Sequence, residues 1–206
     1  SIPVQDLVSP LDYIPLLEKK HQKFQPGTDS SYSNSGYIVL AIATEIISSM
    51  PYQKFIEKVV FEKAHMRQSG FFRADSLPNN TALGYASKDD WLRTNIFHLP
   101  VLGGGDGGAY STLTDMTCFW EQVKSFQILP EITLGPFLKA QNTVDGDWYG
   151  YGFWIDREKN YIQLVGHDAG VSFYSATSRT NEDGFTIISN TSSGAWTLAK
   201  LIKQNT

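Results

Sequence analysis

The hydrophobic period of this chain changes once, near Trp148, and that switch limits the folds open to it. Before the switch, apolar residues recur at helical spacing. Residues 38–50 are almost continuously apolar and predict a buried helix. Pro51 suits the first position of a second helix, with Tyr52, Phe55, Ile56, Val59 and Val60 on one face and an end near Lys63-Ala64. Residues 11–23 predict a short helix carrying Leu11, Ile14 and Leu17. Leu113, Met116, Phe119, Trp120 and Val123 mark another over about residues 113–126, with Thr112 and Asp115 as its cap pair. After the switch the period is two. Residues 149–155, 161–165, 172–177 and 185–189 read as four strands, with turns over 156–160 and 181–184. A closing helix is expected over 195–203. Residues 73–100 look irregular, with turn material at Pro78-Asn79-Asn80 and Lys88-Asp89-Asp90. Helices first and antiparallel strands last predict an α+β layout.

Composition removes several classes of function. Hydrophobic residues make up 41% and charged residues 18% of 206 positions, which is ordinary for a globular core. The formal charge of −4 gives no attraction to a polyanion, and Lys19, Lys20, His21 and Lys23 form the only basic cluster, so no nucleic-acid partner is expected. No run approaches 18 uncharged apolar residues, so no membrane span is expected. Cys118 is the only cysteine, which rules out an intrachain disulfide; its apolar-periodic position predicts burial. His21, His65, His98 and His167 are not spaced as ligand pairs, so neither a metal nor another cofactor is implied. The opening Ser1-Ile2-Pro3 lacks an initiator Met and reads as the middle of a loop.

The richest stretch chemically is Gln25-Pro26-Gly27-Thr28-Asp29-Ser30-Ser31-Tyr32-Ser33-Asn34-Ser35-Gly36-Tyr37. It is a turn followed by cap residues ahead of the apolar helix, and a capped helix alone would account for it. Tyr32 and Asn34 also stand where the positive end of the helix dipole favours a phenolate, so Tyr32 is expected to have a lowered pKa and to serve as a general base. A second constellation, Gly166-His167-Asp168-Ala169-Gly170, lies between two predicted strands. Small residues there let a backbone approach a ligand. A third, Gly103 to Gly108, formally fits the dinucleotide fingerprint, but it holds Asp106 and no βαβ pattern follows it.

Together these motifs resemble the serine β-lactamase and penicillin-binding protein superfamily, in its class C-like branch of D-alanyl-D-alanine carboxypeptidases and esterases. Pro26-Gly27, Tyr32-Ser33-Asn34 and Gly36-Tyr37 resemble its Tyr-x-Asn segment. Met66 and Gly70-Phe71 match its next stretch in part, with His65 where a Gly is usual, and Gly84-Tyr85 falls where a similar dipeptide is common. Gly107-Gly108-Ala109-Tyr110-Ser111-Thr112 and Asp115 resemble a Gly-Gly-x-x-Ser-Thr…Asp motif of structural role. His167-Asp168-Ala169 resembles the third motif, with Ala169 in place of the usual Gly.

The resemblance implies a β-lactamase/transpeptidase-like fold, export to the cell envelope, and an acyl-enzyme mechanism on amide, ester or β-lactam carbonyls. It implies Tyr32 as proton carrier with a lysine, Asn34 on the substrate amide, and His167 positioning Tyr32 or a substrate carboxylate. Asp168 and Ala169 would lie along the substrate, and the Gly170 N–H would enter the oxyanion hole. The nucleophile is missing. No serine here has a lysine three residues later, and the family's Ser-x-x-Lys motif lies further upstream of the tyrosine than 31 residues. The expectation is therefore a C-terminal part of such a hydrolase: residues 1–147 a mainly helical lobe, 148–206 strands and last helix of the α/β lobe. Alone it would be inactive, with the missing N-terminal part as a partner alongside a small-molecule or peptide substrate. The rival reading is a non-catalytic ligand- or peptide-binding module, with Trp148, Tyr149, Tyr151 and Trp154 as aromatic walls or as plain strand packing.

Overall fold

A computed structural model describes residues 2–88, 91–180 and 183–205 of the chain. The turn positions expected at Asp89-Asp90 and at Asn181 lie outside the described residues.

The N-terminal segment makes two 3-10 turns, Val4–Asp6 and Pro10–Tyr13, the second running into α1 (Ile14–Leu17). The Asp12 carboxylate accepts the N–H groups of Val8 and Ser9 at 2.9 and 2.7 Å. The helix expected to reach residue 23 stops early. Past Leu17 the chain is charged and exposed, so no apolar face offsets the cost of further turns.

Helix α2 (Asn34–Ser48) starts where Ser33 caps it, its Oγ accepting the Gly36 N–H at 3.0 Å, and stops where Ser49 turns left-handed at φ 55°. The helix is not the buried rod its composition predicts. Only Ile38 and Ala41 are buried, while Val39, Leu40, Ile46 and Ile47 are 52%, 60%, 69% and 84% exposed. Pro51 sits just before α3 (Tyr52–Ile56) rather than in it, and a π turn over Glu57–Phe61 extends that helix. Strands β1 (Tyr85–Lys88) and β2 (Trp91–Thr94) pair as a hairpin inside the stretch expected to be irregular. A tertiary contact decides this: the Tyr85 N–H is shared between the carbonyls of Gly170 (3.1 Å) and Asn190 (3.0 Å).

Helix α4 (Leu113–Lys124) follows the glycine run. Thr112 Oγ1 accepts the Asp115 N–H at 3.1 Å, as the cap pair predicts, but the Asp115 carboxylate turns away. It accepts the Gln68 N–H at 2.8 Å and the Ser69 hydroxyl at 2.7 Å, pinning α4 to the preceding turn. Cys118 is half-buried, less enclosed than its spacing implies. Helix α5 (Glu131–Phe137) leads into the sheet.

The sheet is an antiparallel meander, β3 (Asn142–Val144), β4 (Asp147–Tyr149), β5 (Trp154–Asp156), β6 (Tyr161–Asp168), β7 (Val171–Ser178) and β8 (Gly184–Ser189), adjacent in chain order. The single strand expected over 149–155 is two strands. The Gly150 N–H closes onto the Phe153 carbonyl at 2.8 Å, reversing the chain between them. Register places Ile162 opposite Thr177 and Gln163 opposite Ala176, so alternate residues face opposite sides. One face carries Ile155 and Ile162 against Trp120, Val123 and Leu134 of α4 and α5. There the Trp120 indole N–H donates to the fully buried Ser175 Oγ at 2.7 Å. The other face packs Tyr174 and Ala176 against Ala195 and Ala199 of α6 (Gly194–Asn205). Among the described residues, no helix is long and apolar enough to cross a membrane.

Candidate active site

Three segments converge at the N-terminal end of α2. The first is the tyrosine loop. Tyr32 is 57% exposed and lies two residues before the exposed Asn34, the first residue of the helix. The second is the glycine run, held flat on α2 by Gly105. A Cβ at that position would lie 2.5 Å from the Tyr37 carbonyl oxygen and 2.6 Å from Ala41 Cβ, so only glycine permits the approach. Asp106 follows at once, which brings its carboxylate close enough to Tyr32 for its charge to be felt. No strand–glycine-loop–helix unit with a parallel sheet surrounds this run among the described residues, which removes the dinucleotide reading.

The third segment is the turn between β6 and β7. His167 pairs across from Ser172, and the His167 and Asp168 side chains are exposed. Asp168 Oδ1 accepts the Ala169 N–H at 2.7 Å. The turn is clamped from outside: Asn95 Nδ2 donates to the Ala169 carbonyl at 3.0 Å, and the Tyr85 N–H donates to the Gly170 carbonyl. Gly170 has φ 73°, a left-handed conformation that glycine adopts without strain. Its N–H does not point open into a cleft as the oxyanion role requires. It donates to Ser192 Oγ at 2.8 Å, in the segment between β8 and α6. Tight reversal of the hairpin turns this amide toward that segment. No hydrogen bond joins His167 to Tyr32 among the described residues.

The electrostatics reverse a second expectation. The Tyr32 phenol has its pKa raised, not lowered. Burial contributes most, then the neighbouring Tyr37, Asp106 and Asp168. Every one of these pushes the same way, and no basic group is among them. The Asp106 carboxyl is likewise raised, by desolvation first and then by Asp168. A helix N-terminus is a weak partial charge beside two carboxylates. The charge of Asp168, 136 positions away in the chain, is thus felt at Tyr32.

The aromatic residues after the switch are mostly packing. Tyr149 meets Trp154 edge-on at 4.8 Å, Tyr151 meets Phe137 at 5.6 Å, and the Arg157 guanidinium lies 4.7 Å over Trp148. Tyr149 does more: its hydroxyl hydrogen-bonds that of Tyr37, tying β4 to the first turn of α2. Burial and that bond push its pKa up. Sequence reading missed Asn95, Asp106 and Ser192 as parts of this neighbourhood, while it weighs Tyr149 as an aromatic wall. Asn95, buried within the supposedly irregular stretch, is a polar residue with no motif around it.

A tyrosine at a helix N-terminus, faced by a His-Asp turn of an antiparallel sheet, defines an α+β protein of the β-lactamase/transpeptidase-like fold. The sequence profile of the beta-lactamase family matches residues 6–203, and the chain belongs to that family, a family of serine hydrolases. A penicillin-binding protein of Bacillus subtilis (strain 168) is 27% identical over 171 residues, which take in 74% of this chain and 37% of the relative. The crystal structure of a penicillin binding protein from Bacillus halodurans superposes with a TM-score of 0.94 at 36% identity, covering 100% of this chain and 66% of that one. An octameric penicillin-binding protein homologue from Pyrococcus abyssi shares the fold, with a TM-score of 0.83 at 22% identity over 98% of this chain and 49% of its own. The chain thus spans 37% of the length of the curated relatives it matches.

Proposed function

We propose that this chain is the C-terminal portion of the catalytic domain of a serine hydrolase that cleaves amide, ester or β-lactam carbonyls through an acyl-enzyme. Residues 1–147 and 148–206 are parts of that one domain, and a segment bearing the serine and a lysine completes it. The observation that carries the reading is that the charge of Asp168, in the third motif, is felt at Tyr32 in the tyrosine loop. In the complete site the serine attacks the carbonyl carbon and its proton leaves through the lysine and Tyr32 to the departing group. Asn34 hydrogen-bonds the substrate amide. His167 and Asp168, with the Ala169 backbone, border the substrate. Gly170 supports the oxyanion once its N–H leaves Ser192 Oγ, to which it donates in this chain.

The raised Tyr32 pKa fits a site that needs the lysine: a cation beside the phenol would oppose the two carboxylates. The exposed apolar face of α2 fits it too, since the completing segment would cover Val39, Leu40, Ile46 and Ile47. A second reading is a non-catalytic ligand- or peptide-binding module, which would need no cation beside Tyr32.

Covalent labelling separates them. The chain alone is expected to remain unlabelled by a fluorescent penicillin or a fluorophosphonate. Joined to the upstream residues of its gene it should label, and Tyr32→Phe should slow that labelling by about 100-fold or more. Labelling of the chain alone would refute the missing nucleophile. An upstream sequence without Ser-x-x-Lys that never labels would leave the binding module.

A further inference from the structure

We propose that the chain carries a second binding site, a cavity for a small organic ammonium ion, built between the C-terminal half of α2, the start of α3 and the N-terminal segment. It goes beyond the hydrolase reading and does not rest on it. None of Tyr32, Asn34, His167 and Asp168 lines the cavity, and every lining residue belongs to this chain. Its volume is about 430 Å³, within the range of small-molecule sites. Val8, Pro51, Phe71 and Leu102 give it apolar walls. Phe71 is held in place, edge-on to Tyr52 at 6.0 Å and stacked on Phe61 at 5.9 Å.

The polar groups of the cavity are mainly acceptors. Gln53 is only 8% exposed, and its Nε2 donates to the carbonyls of Gly103 at 2.9 Å and Val8 at 3.3 Å. Its Oε1 accepts from nothing among the described residues. No enclosed side-chain oxygen or nitrogen among them lacks a partner, so this oxygen reaches open space, and the cavity is the space that Gln53 lines. The Glu45 carboxylate, half-buried on α2, lines it too. It accepts the Tyr52 N–H at 2.8 Å and the Ser9 hydroxyl at 3.4 Å, and no cation pairs with it among the described residues. Glu57 is a second carboxylate, but the Lys54 ammonium at 2.7 Å balances it. One uncompensated negative charge and one unpartnered amide oxygen therefore face apolar walls. An anion would be repelled there, and a neutral ligand would leave the charge unpaired. An ammonium donates to both oxygens, and its apolar substituent covers Phe71 and Leu102.

The test titrates benzylammonium at pH 7 into this chain joined to the upstream residues of its gene, so that any segment able to enter the cavity is present. Benzyl alcohol is the neutral match. The ammonium should bind about tenfold more tightly than the alcohol, the usual worth of a hydrogen bond to a charged group. In amide NMR it should move the Gln53 side-chain amide and the Gly104 N–H, whose peptide carries the Gly103 carbonyl, because a cation on Oε1 strengthens the Nε2 donors. Glu45→Gln, equal in shape, should weaken binding about tenfold, with melting curves confirming its fold. If E45Q does not fold, Lys54→Ala decides: that side chain is 69% exposed, and freeing Glu57 should tighten binding about threefold. Equal affinity for amine and alcohol, or E45Q binding as tightly as the parent, would overturn the proposal. So would binding by the isolated chain that is lost in the joined protein, which would mean that the upstream segment fills the cavity. Covalent labelling by a penicillin tests the hydrolase reading separately, so either can fail without the other.

Discussion

Substituting Gly105 tests the contact that builds the site. An alanine Cβ there would sit 2.5 Å from the Tyr37 carbonyl oxygen and 2.6 Å from Ala41 Cβ, about 1 Å inside ordinary contact. Both obstacles are rigid, one being helix backbone and the other a Cβ fixed to it, so the loop must lift off α2. Overpacking of this kind costs about 1–3 kcal/mol. Gly105 does not have a positive φ, so the cost is steric and owes nothing to backbone strain. Gly104 is the internal control. Its Cβ would meet nothing nearer than Asp106 Oδ1 at 3.7 Å, and its φ is not positive either. Gly104→Ala should be neutral or stabilising by about 0.4–1 kcal/mol, because it restricts the unfolded chain. Urea unfolding of parent, G104A and G105A gives the comparison directly. A G105A loss below about 0.5 kcal/mol, or equal effects at both positions, would mean that the glycine run does not rest on α2 as described.

Two further outcomes follow from the charges. Asp106→Asn removes one of the negative charges acting on Tyr32, so the phenol should titrate at lower pH than in the parent. NMR of ring-labelled tyrosine, assigned with Tyr32→Phe, reads this, and an unchanged midpoint would separate Asp106 from the site. At the far side of the sheet, burial opposes ionisation of Asp156, but the Lys203 ammonium at 2.8 Å and the Lys159 N–H outweigh it and hold its carboxyl below the usual range. A depressed carboxylate contributes stability that is present above its unfolded pKa, near 3.9, and is lost as pH falls through the folded value. The stability gap between parent and Asp156→Asn should therefore be open at pH 7 and close below about pH 4 in urea titrations. A gap of constant size would assign the difference to something other than the ion pair.

What could be read from the sequence follows physical locality. Strands β6, β7 and β8 lie where alternation put them because each is half of a hairpin whose pattern is its own. The split at Gly150 was hidden, since Tyr149-Gly150-Tyr151-Gly152 alternates as regularly as a strand while its turn depends on contacts outside it: the Tyr151 N–H reaches the Phe137 carbonyl at 3.2 Å. Strand β1 was hidden for the same reason, its first N–H being committed to Gly170 and Asn190. The site divides along the same line. Tyr32, Asn34, His167 and Asp168 belong to short motifs recognisable by residue type and spacing, so the sequence alone could single them out as candidates. Their charge state was not local. Tyr32 lies beside a helix N-terminus, which favours ionisation, but burial first, then Tyr37, Asp106 and Asp168, push its pKa up.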